Sequence, residues 1–280
     1  TTVSVSDPDD NDNLTLSVTG TDASSFNLSS DNILTFKEAP DYETKNSYSI
    51  TLSLTDGTET VSKSVTINIT NVNDNSPVIT SDATFTAAEN QAAIGTVTAT
   101  DADGDDISFF SQKGTELEIT SAGVLTFLAA PDYETKSSYT ENIVATDGVN
   151  STSQDIIVNV TNVNDNSPVI TSDATFTAAE NQTAIGTVIA TDADGDTVVF
   201  SISGSELEVS ATGVITFATA PDYETKTSYT ATVTASDGTN TATQDITVTI
   251  TNDESDDSVS GIVLPQSVQL VETQGESSES

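Results

Sequence analysis

The sequence predicts an all-β chain of tandem seven-stranded Greek-key β-sandwiches joined end to end. Three observations carry that reading. First, residues 71–105 recur as residues 162–196 with two changes, Ala92 to Thr183 and Thr98 to Ile189. PDYETK begins at Pro40, Pro131 and Pro221, and an Asp-Gly pair falls at Asp56, Asp147 and Asp237, a spacing of 91 and then 90 residues. A period of that length makes each repeat a domain in its own right rather than one turn of a solenoid. Second, IGTVTATD (94–101), QDIIVNVTN (154–162) and SYTATVTASD (228–237) alternate large and small polar residues with a period of two, as strands do. Third, no apolar stripe with a period of 3.6 has useful length.

One whole repeat runs from residue 76 to residue 163. The opening strand runs through VITSDATFTA (78–87) to Glu89, and 94–100 returns to the acidic turn DADGD (101–105). Residues 107–111 form the next strand. LEITSAGVLTF (117–127) supplies two short strands around Ala122-Gly123. PDYE (131–134) is a turn, 137–146 a strand, Asp147-Gly148 a turn, and 154–162 the closing strand, seven in all. The expected domains are 1–72, lacking its first strand and so left with an unpaired sheet edge; 73–163; 164–252; and an acidic tail or linker, 253–280. Phe85, Phe127, Phe176 and Phe217 are expected in the cores, and Tyr133 and Tyr223 packed under their turns.

Composition removes whole classes of function. Forty-four acidic residues stand against six lysines and no arginine, a formal net charge of −38. Such a chain repels a phosphate backbone and an anionic membrane surface, so nucleic acid is not an expected partner. It has no His and no Cys, hence no imidazole base, no thiol nucleophile, no soft-metal ligand and no disulfide. The acid pair Asp132 and Glu134 recurs with the domain period, whereas an enzyme needs one pocket. The expectation is not an enzyme.

Strand counting locates the carboxylates. A ten-residue strand spans roughly 33 Å, so groups before and after it lie at opposite poles. Glu89, Asp132, Glu134 and the outgoing linker 162–166 share one pole. Asp101, Asp103 and Asp147 share the other with the incoming linker 71–75. End-to-end domains would then gather Glu89, Asp132, Glu134, Asp165, Asp192, Asp194 and Asp237 at the joint of the second and third repeats. So many like charges repel unless cations intervene. Carboxylates with Asn and backbone oxygens suit Ca²⁺, which takes six to eight oxygens in flexible geometry. Charge balance gives two to three Ca²⁺ ions per interdomain linker. Asp105, Asp106, Asp196 and the acids of the tail are read as solvated surface.

In this order the motifs AEN (88–90, 179–181), DAD (101–103, 192–194), DYE (41–43, 132–134, 222–224), Asp before Gly (147, 237) and NVNDNSP (71–77, 162–168) resemble those of cadherin repeats, of a bacterial-type tandem form. The resemblance covers residues 1–252. It implies a cadherin/immunoglobulin-like sandwich and calcium ligands at Asp7, Asp9, Asp41, Glu43, Asp56, Asn73, Asp74, Asn75, Glu89, Asp101, Asp103, Asp132, Glu134, Asp147, Asn164, Asp165, Asn166, Glu180, Asp192, Asp194, Asp222, Glu224 and Asp237. It further implies an extracellular or cell-surface segment of a larger adhesin, stiffened by calcium, with a homophilic or heterophilic protein partner or a glycan on another cell. Asn71 and Asn162 stand where that family usually has Asp, which removes one carboxylate from each joint. The first joint is also short of the Glu that the opening strand of repeat one would bring. No Trp exists, so strand exchange through a near-terminal Trp is not carried over. The alternative is a polysaccharide-binding or spacer module of a secreted multidomain enzyme.

Overall fold

The computed structural model describes residues 1–8 and 13–255, and apart from one three-residue 3-10 turn its regular secondary structure is all strand among these residues. Two compact units divide it, Thr1–Val163 and a second that starts at Asn164. Asp9 and tail residues 256–280 lie outside the described residues.

Within the first unit, the second repeat sets the pattern. A four-stranded sheet runs in the order Ser108–Ser111, Ser138–Thr146, Ser151–Thr161, Thr84–Ala88. Opposite it lie Leu117–Ile119, Val124–Phe127 and Ala93–Thr96, and Val78–Ile79 pairs with Ala99–Thr100. Alternation decides which side chains meet between the layers. Leu125, Ile143, Ala145, Ile156 and Val158 are fully enclosed, with Phe127 beside them. The Phe127 ring meets Tyr139 edge-on at 5.0 Å, and the Lys136 ammonium lies 4.3 Å from the centre of that tyrosine. Leu125 fills the centre of a thin core, so Leu125→Ala should destabilise this repeat by about 2–5 kcal/mol. Urea unfolding of the whole chain followed by tyrosine fluorescence checks it.

Two details depart from the seven strands counted in the sequence. The segment 78–88 is not one strand: Val78–Ile79 pairs antiparallel with Ala99–Thr100, whereas Thr84–Ala88 pairs parallel with Ser151–Thr161. It changes sheets through Ser81-Asp82-Ala83, and this closes the edge of the four-stranded sheet. The return strand also breaks, at Val97–Thr98, where the Val97 N–H donates to the Gly123 carbonyl at 2.8 Å instead of extending the ladder. Tyr133 does not pack under its turn but is exposed; Tyr139 takes the core position. Tyr223 packs against the core of its own unit.

The first repeat keeps the sheet Thr15–Thr19, Ser47–Thr55, Thr60–Asn68 and the hairpin Phe26–Leu28 with Leu34–Phe36. Its Thr2 bridges Ile33. Thr60–Asn68 is an edge, with no strand on its outer side among the described residues. Asp22 is buried and accepts the Ser49 N–H at 2.7 Å and the Lys45 ammonium.

The second unit repeats the same plan. Its four-stranded sheet runs Thr175–Ala179, Thr241–Thr251, Ser228–Ser236, Val199–Ile202, again with the first pair parallel. Ala184–Thr187, Val214–Phe217 and Leu207–Val209 face it. Ile215, Val233, Ile246 and Val248 form its centre. No helix among the described residues is long and apolar enough to cross a membrane, a fact that says nothing of β-barrels.

Candidate metal centre

The linker that enters the second repeat is held by carboxylates from its turns. Asp103 follows the strand pair at Ala99–Thr100, and one of its oxygens accepts the N–H groups of Asp74 at 3.1 Å and Asn75 at 2.8 Å. The other accepts the Asn75 side-chain amide at 3.0 Å. Asn71 donates its amide to the Asp103 carbonyl at 2.8 Å. From the turn after Ser138–Thr146, Asn150 donates to Asn73 Oδ1 at 2.6 Å and to the Asn75 carbonyl at 2.9 Å. Asp147 in turn accepts the N–H groups of Val149 and Asn150 at 2.7 and 2.6 Å.

Into this knot the first repeat inserts Glu43. Oxygens of Glu43, Asp74 and Asp103 all lie within 4.8 Å of one another, and so do oxygens of Asp101, Asp103 and Asp105. Electrostatics records the crowding. Glu43 is pushed above the usual carboxylate range by burial, and next by its contact with Asp103. Burial also raises Asp103, but the amides of Asn75 outweigh it and hold Asp103 low. Asp105 is raised by burial and by the charges of Asp101, Asp103, Asp147 and Asp106. Asp101 gives one oxygen to the Asp103 N–H at 2.9 Å; its other oxygen is buried with no hydrogen-bond partner. A buried, unpartnered carboxylate oxygen among like charges is costly unless a cation meets it.

Asp147 shows how these turns answer to acid. Burial raises its carboxyl, yet the donated N–H groups of Asn150 and Val149 win and depress it. A depressed carboxyl stabilises the fold above its unfolded value, about 4, and that contribution is lost as the pH falls through the lower folded value. In chelator, the second repeat should therefore melt at a falling temperature below about pH 4. Asp147→Asn should flatten that dependence, read by calorimetry across the acid range.

The opposite pole of the second repeat is organised by Glu89. Only 3% exposed, it accepts the Tyr133 N–H at 2.8 Å and the Val163 N–H at 2.7 Å, tying the DYE turn to the outgoing linker. Asp132 caps its own turn, accepting the N–H and hydroxyl of Thr135 at 3.1 and 2.8 Å. Asp41 does the same for Glu43 and Thr44. Both carboxylates thus serve the turn that presents Glu43 and Glu134. Asp56 accepts the N–H groups of Thr58 and Glu59. It and Asp7 lie at the far end of the first repeat and join none of the carboxylate groups found among the described residues.

In the second unit, Asp194 accepts the N–H groups of Asp165 and Asn166 at 3.1 and 2.9 Å. Asp237 accepts those of Thr239 and Asn240, and Asn240 donates to Asn164 at 2.9 Å and to the Asn166 carbonyl at 3.1 Å. Asp192, Asp194 and Asp196 approach within 4.8 Å, as do Glu180, Asp222 and Glu224. Asp192 and Asp237 each keep a buried oxygen without a hydrogen-bond partner. Glu180 repeats Glu89, accepting the N–H groups of Tyr223 and Asp253.

Asp105 and Asp196, read from sequence as solvated surface, are exposed, and one oxygen of each lies within 4.8 Å of oxygens of its neighbouring DAD carboxylates, next to the glycines at 104 and 195 with φ +81 and +83. Asn150 and Asn240 were missed; the phrase Asp-Gly-x-Asn, present at 147–150 and 237–240, was their signal. Glu141, also missed, is buried on a strand and accepts the N–H groups of Lys113 and Gly114. It fixes a loop and takes no part in the acidic knot.

Known proteins can now be set beside this geometry. Residues 164–251 match a bacterial Ig domain model. Over 199 residues, 64% of the chain, the sequence is 33% identical to the mouse cadherin EGF LAG seven-pass G-type receptor 2. Over 210 residues, 68% of the chain, it is 32% identical to human protocadherin Fat 4. The chain spans only 7% and 4% of the length of those relatives. Among solved structures, cadherin domains 3–6 of the extracellular part of protocadherin gamma B2 match at a TM-score of 0.66 and 22% identity, covering 88% of this chain and 68% of that one. Mouse cadherin-23 EC22–24 matches at 0.65 and 22%, covering 88% and 89%. Sequence relatives and structural neighbours across most of the chain are thus cadherins, and the fold is that of tandem cadherin domains.

Proposed function

We propose that this chain is a calcium-binding, extracellular stalk or adhesion segment of a larger cell-surface or secreted adhesin, and that its role is mechanical and adhesive rather than catalytic. One observation carries the reading most directly. Asp101 keeps a buried carboxylate oxygen without a hydrogen-bond partner beside the carboxylates of Asp103 and Asp105, in a knot whose donors are all oxygen. That donor set fits Ca²⁺ and offers nothing to a soft metal. Glu43, Asp74, Asp101, Asp103 and Asp147, with the oxygens of Asn73 and Asn75, would hold the ions of the first joint. By the same sequence motifs, Glu89, Asp132, Glu134 and Glu180, Asp222, Glu224 are ligand sets carried on the DYE poles, and Asn164, Asp165, Asn166, Asp192, Asp194 and Asp237 on the linker pole of the second unit. A bound cation would cancel the repulsion between Glu43 and Asp103 and so fix the first repeat to the linker of the second.

Extracellular modules of this kind hold calcium with dissociation constants of roughly 10⁻⁴–10⁻³ M, a range suited to the outside of cells. Limited proteolysis supplies the test. Millimolar calcium should protect residues 71–75 from cleavage, and excess chelator should expose them while both sandwiches resist. Equal cleavage with and without calcium would remove the reading, as would equal protection by magnesium at the same concentration.

A further inference from the structure

The outward face of the second unit carries chemistry that calcium leaves unused. Ser228–Ser236 and Thr241–Thr251 lie side by side, with Thr230 opposite Thr247 and Thr232 opposite Asp245. Val233, Ile246 and Val248 turn inward to the core. Every outward position on these two strands is Ser or Thr except Asp245. A chain of net charge −38 thus keeps this face almost free of charge. The edge strand Val199–Ile202 pairs no further than Val233. Past it the chain turns away at Ser203, whose Oγ accepts the Thr232 N–H at 2.8 Å. A cleft of about 440 Å³ opens there, lined by Ser203, Thr230, Thr232, Asp245 and Thr247. That volume lies within the range of small-molecule sites, roughly 300–1,000 Å³.

The lining groups specify the ligand. The Thr232 hydroxyl donates to Asp245 Oδ1 at 2.6 Å, and Asp245 Oδ2 accepts no hydrogen bond among the described residues. The hydroxyls of Thr230 and Thr247 have no partner among them either. An ionised carboxylate only accepts, whereas a hydroxyl both donates and accepts. The missing half of the site is therefore a pair of O–H donors for Asp245, with oxygens to which the threonines can donate. An anion would be repelled by Asp245, and one carboxylate falls far short of what a calcium ion asks. A vicinal diol of a neutral sugar supplies both kinds of group. The second repeat has the same framework with different contents. Its Asp155 takes the Asn142 amide at 2.8 Å, and Ile157 stands where the second unit has Thr247. We propose that the cleft of Thr230, Thr232, Asp245 and Thr247 binds a neutral saccharide through a vicinal diol held by Asp245. Such a site gives the adhesive reading above a class of partner. It stands mid-strand, apart from the turns that carry the calcium carboxylates.

Amide NMR of the full chain tests this, with maltotriose, cellotriose and mannotriose as probes. Each is added to ~20 mM, enough to load a site whose dissociation constant is millimolar. At least one should shift the amides of residues 230–232 and 245–247, while the counterparts 140–142 and 155–157 stay in place. Asp245→Asn keeps an acceptor for Thr232 but removes the charge, and should weaken binding at least ~10-fold. Thr247→Ile, which copies the second repeat, should weaken it as well. Unchanged amide positions elsewhere in the spectrum show that both variants fold. No shift with any of the three sugars would overturn the proposal. So would shifts confined to other residues, equal shifts at 140–142 and 155–157, or an Asp245→Asn variant that binds as tightly as the wild type. The titration in excess chelator should give the same shifts as in millimolar calcium, so a failure of the calcium reading leaves this site standing, and the reverse.

Discussion

Asp101→Asn combined with Asp103→Asn should weaken calcium binding at the first joint by at least ~10-fold and abolish calcium protection of the linker there. The two carboxylates have different tasks. Asp103 already spends its oxygens on Asp74 and Asn75, so it shapes the linker whether or not an ion is present. Asp101 holds the unpartnered oxygen, so it has most to gain from a cation. Asp101→Asn alone should therefore reduce affinity with little change in the chelated protein. Asp103→Asn alone should also disturb residues 71–75 without calcium. Calcium titration by calorimetry, with proteolysis of the linker in parallel, separates the two. If the double variant keeps the affinity and ion count of the wild type, Asp101 and Asp103 are not ligands.

Gly123→Ala should be the most damaging single methyl in the second repeat. At φ +87 an L side chain is strained, and a Cβ there would stand 2.2 Å from the Val97 carbonyl oxygen and 3.3 Å from the Phe109 ring. That carbonyl cannot retreat freely, because Val97 also donates its N–H to the Gly123 carbonyl. The two segments grip each other at the point where the return strand breaks. A loss of at least ~3 kcal/mol is expected, measured by urea unfolding. Gly148→Ala is the natural control. It has a similar φ of +95 but nothing within 4 Å of the added carbon, so it should cost about 1–2 kcal/mol. Gly213, with the Val188 carbonyl oxygen at the same 2.2 Å, should behave like Gly123 in the second unit.

Much of this architecture is legible in the residues because a sandwich strand announces itself by alternation and a turn by Asp, Gly and Pro. The poles of Glu89 and of Asp103 followed from strand reversals alone, and the hydrogen bonds of Glu89 to Tyr133 and Val163 lie at the pole so counted. Alternation could not reveal that residues 78–88 serve two sheets. Both halves alternate equally well, and only the competition between sheet edges for a partner decides the switch. Asp105 is exposed, as its sequence surroundings suggest, but alternation does not show that past the left-handed Gly104 one of its oxygens comes within 4.8 Å of oxygens of Asp101 and Asp103. Asn150 escaped notice because an uncharged amide carries no electrostatic signature, even though it is the side chain that grips Asn73 and Asn75.

The parallel pairing of Thr84–Ala88 with Ser151–Thr161 has a consequence under load. The chain enters the second repeat ahead of the first of these strands and leaves it after the second, so tension pulls the two neighbours in opposite senses along their common axis. The ladder between them is loaded in shear, with all its hydrogen bonds strained together, instead of being unzipped one bond at a time. The repeat should yield at a far higher force than a hairpin of the same length. Resistance to pulling is set by which strands lie side by side at the two ends of the fold.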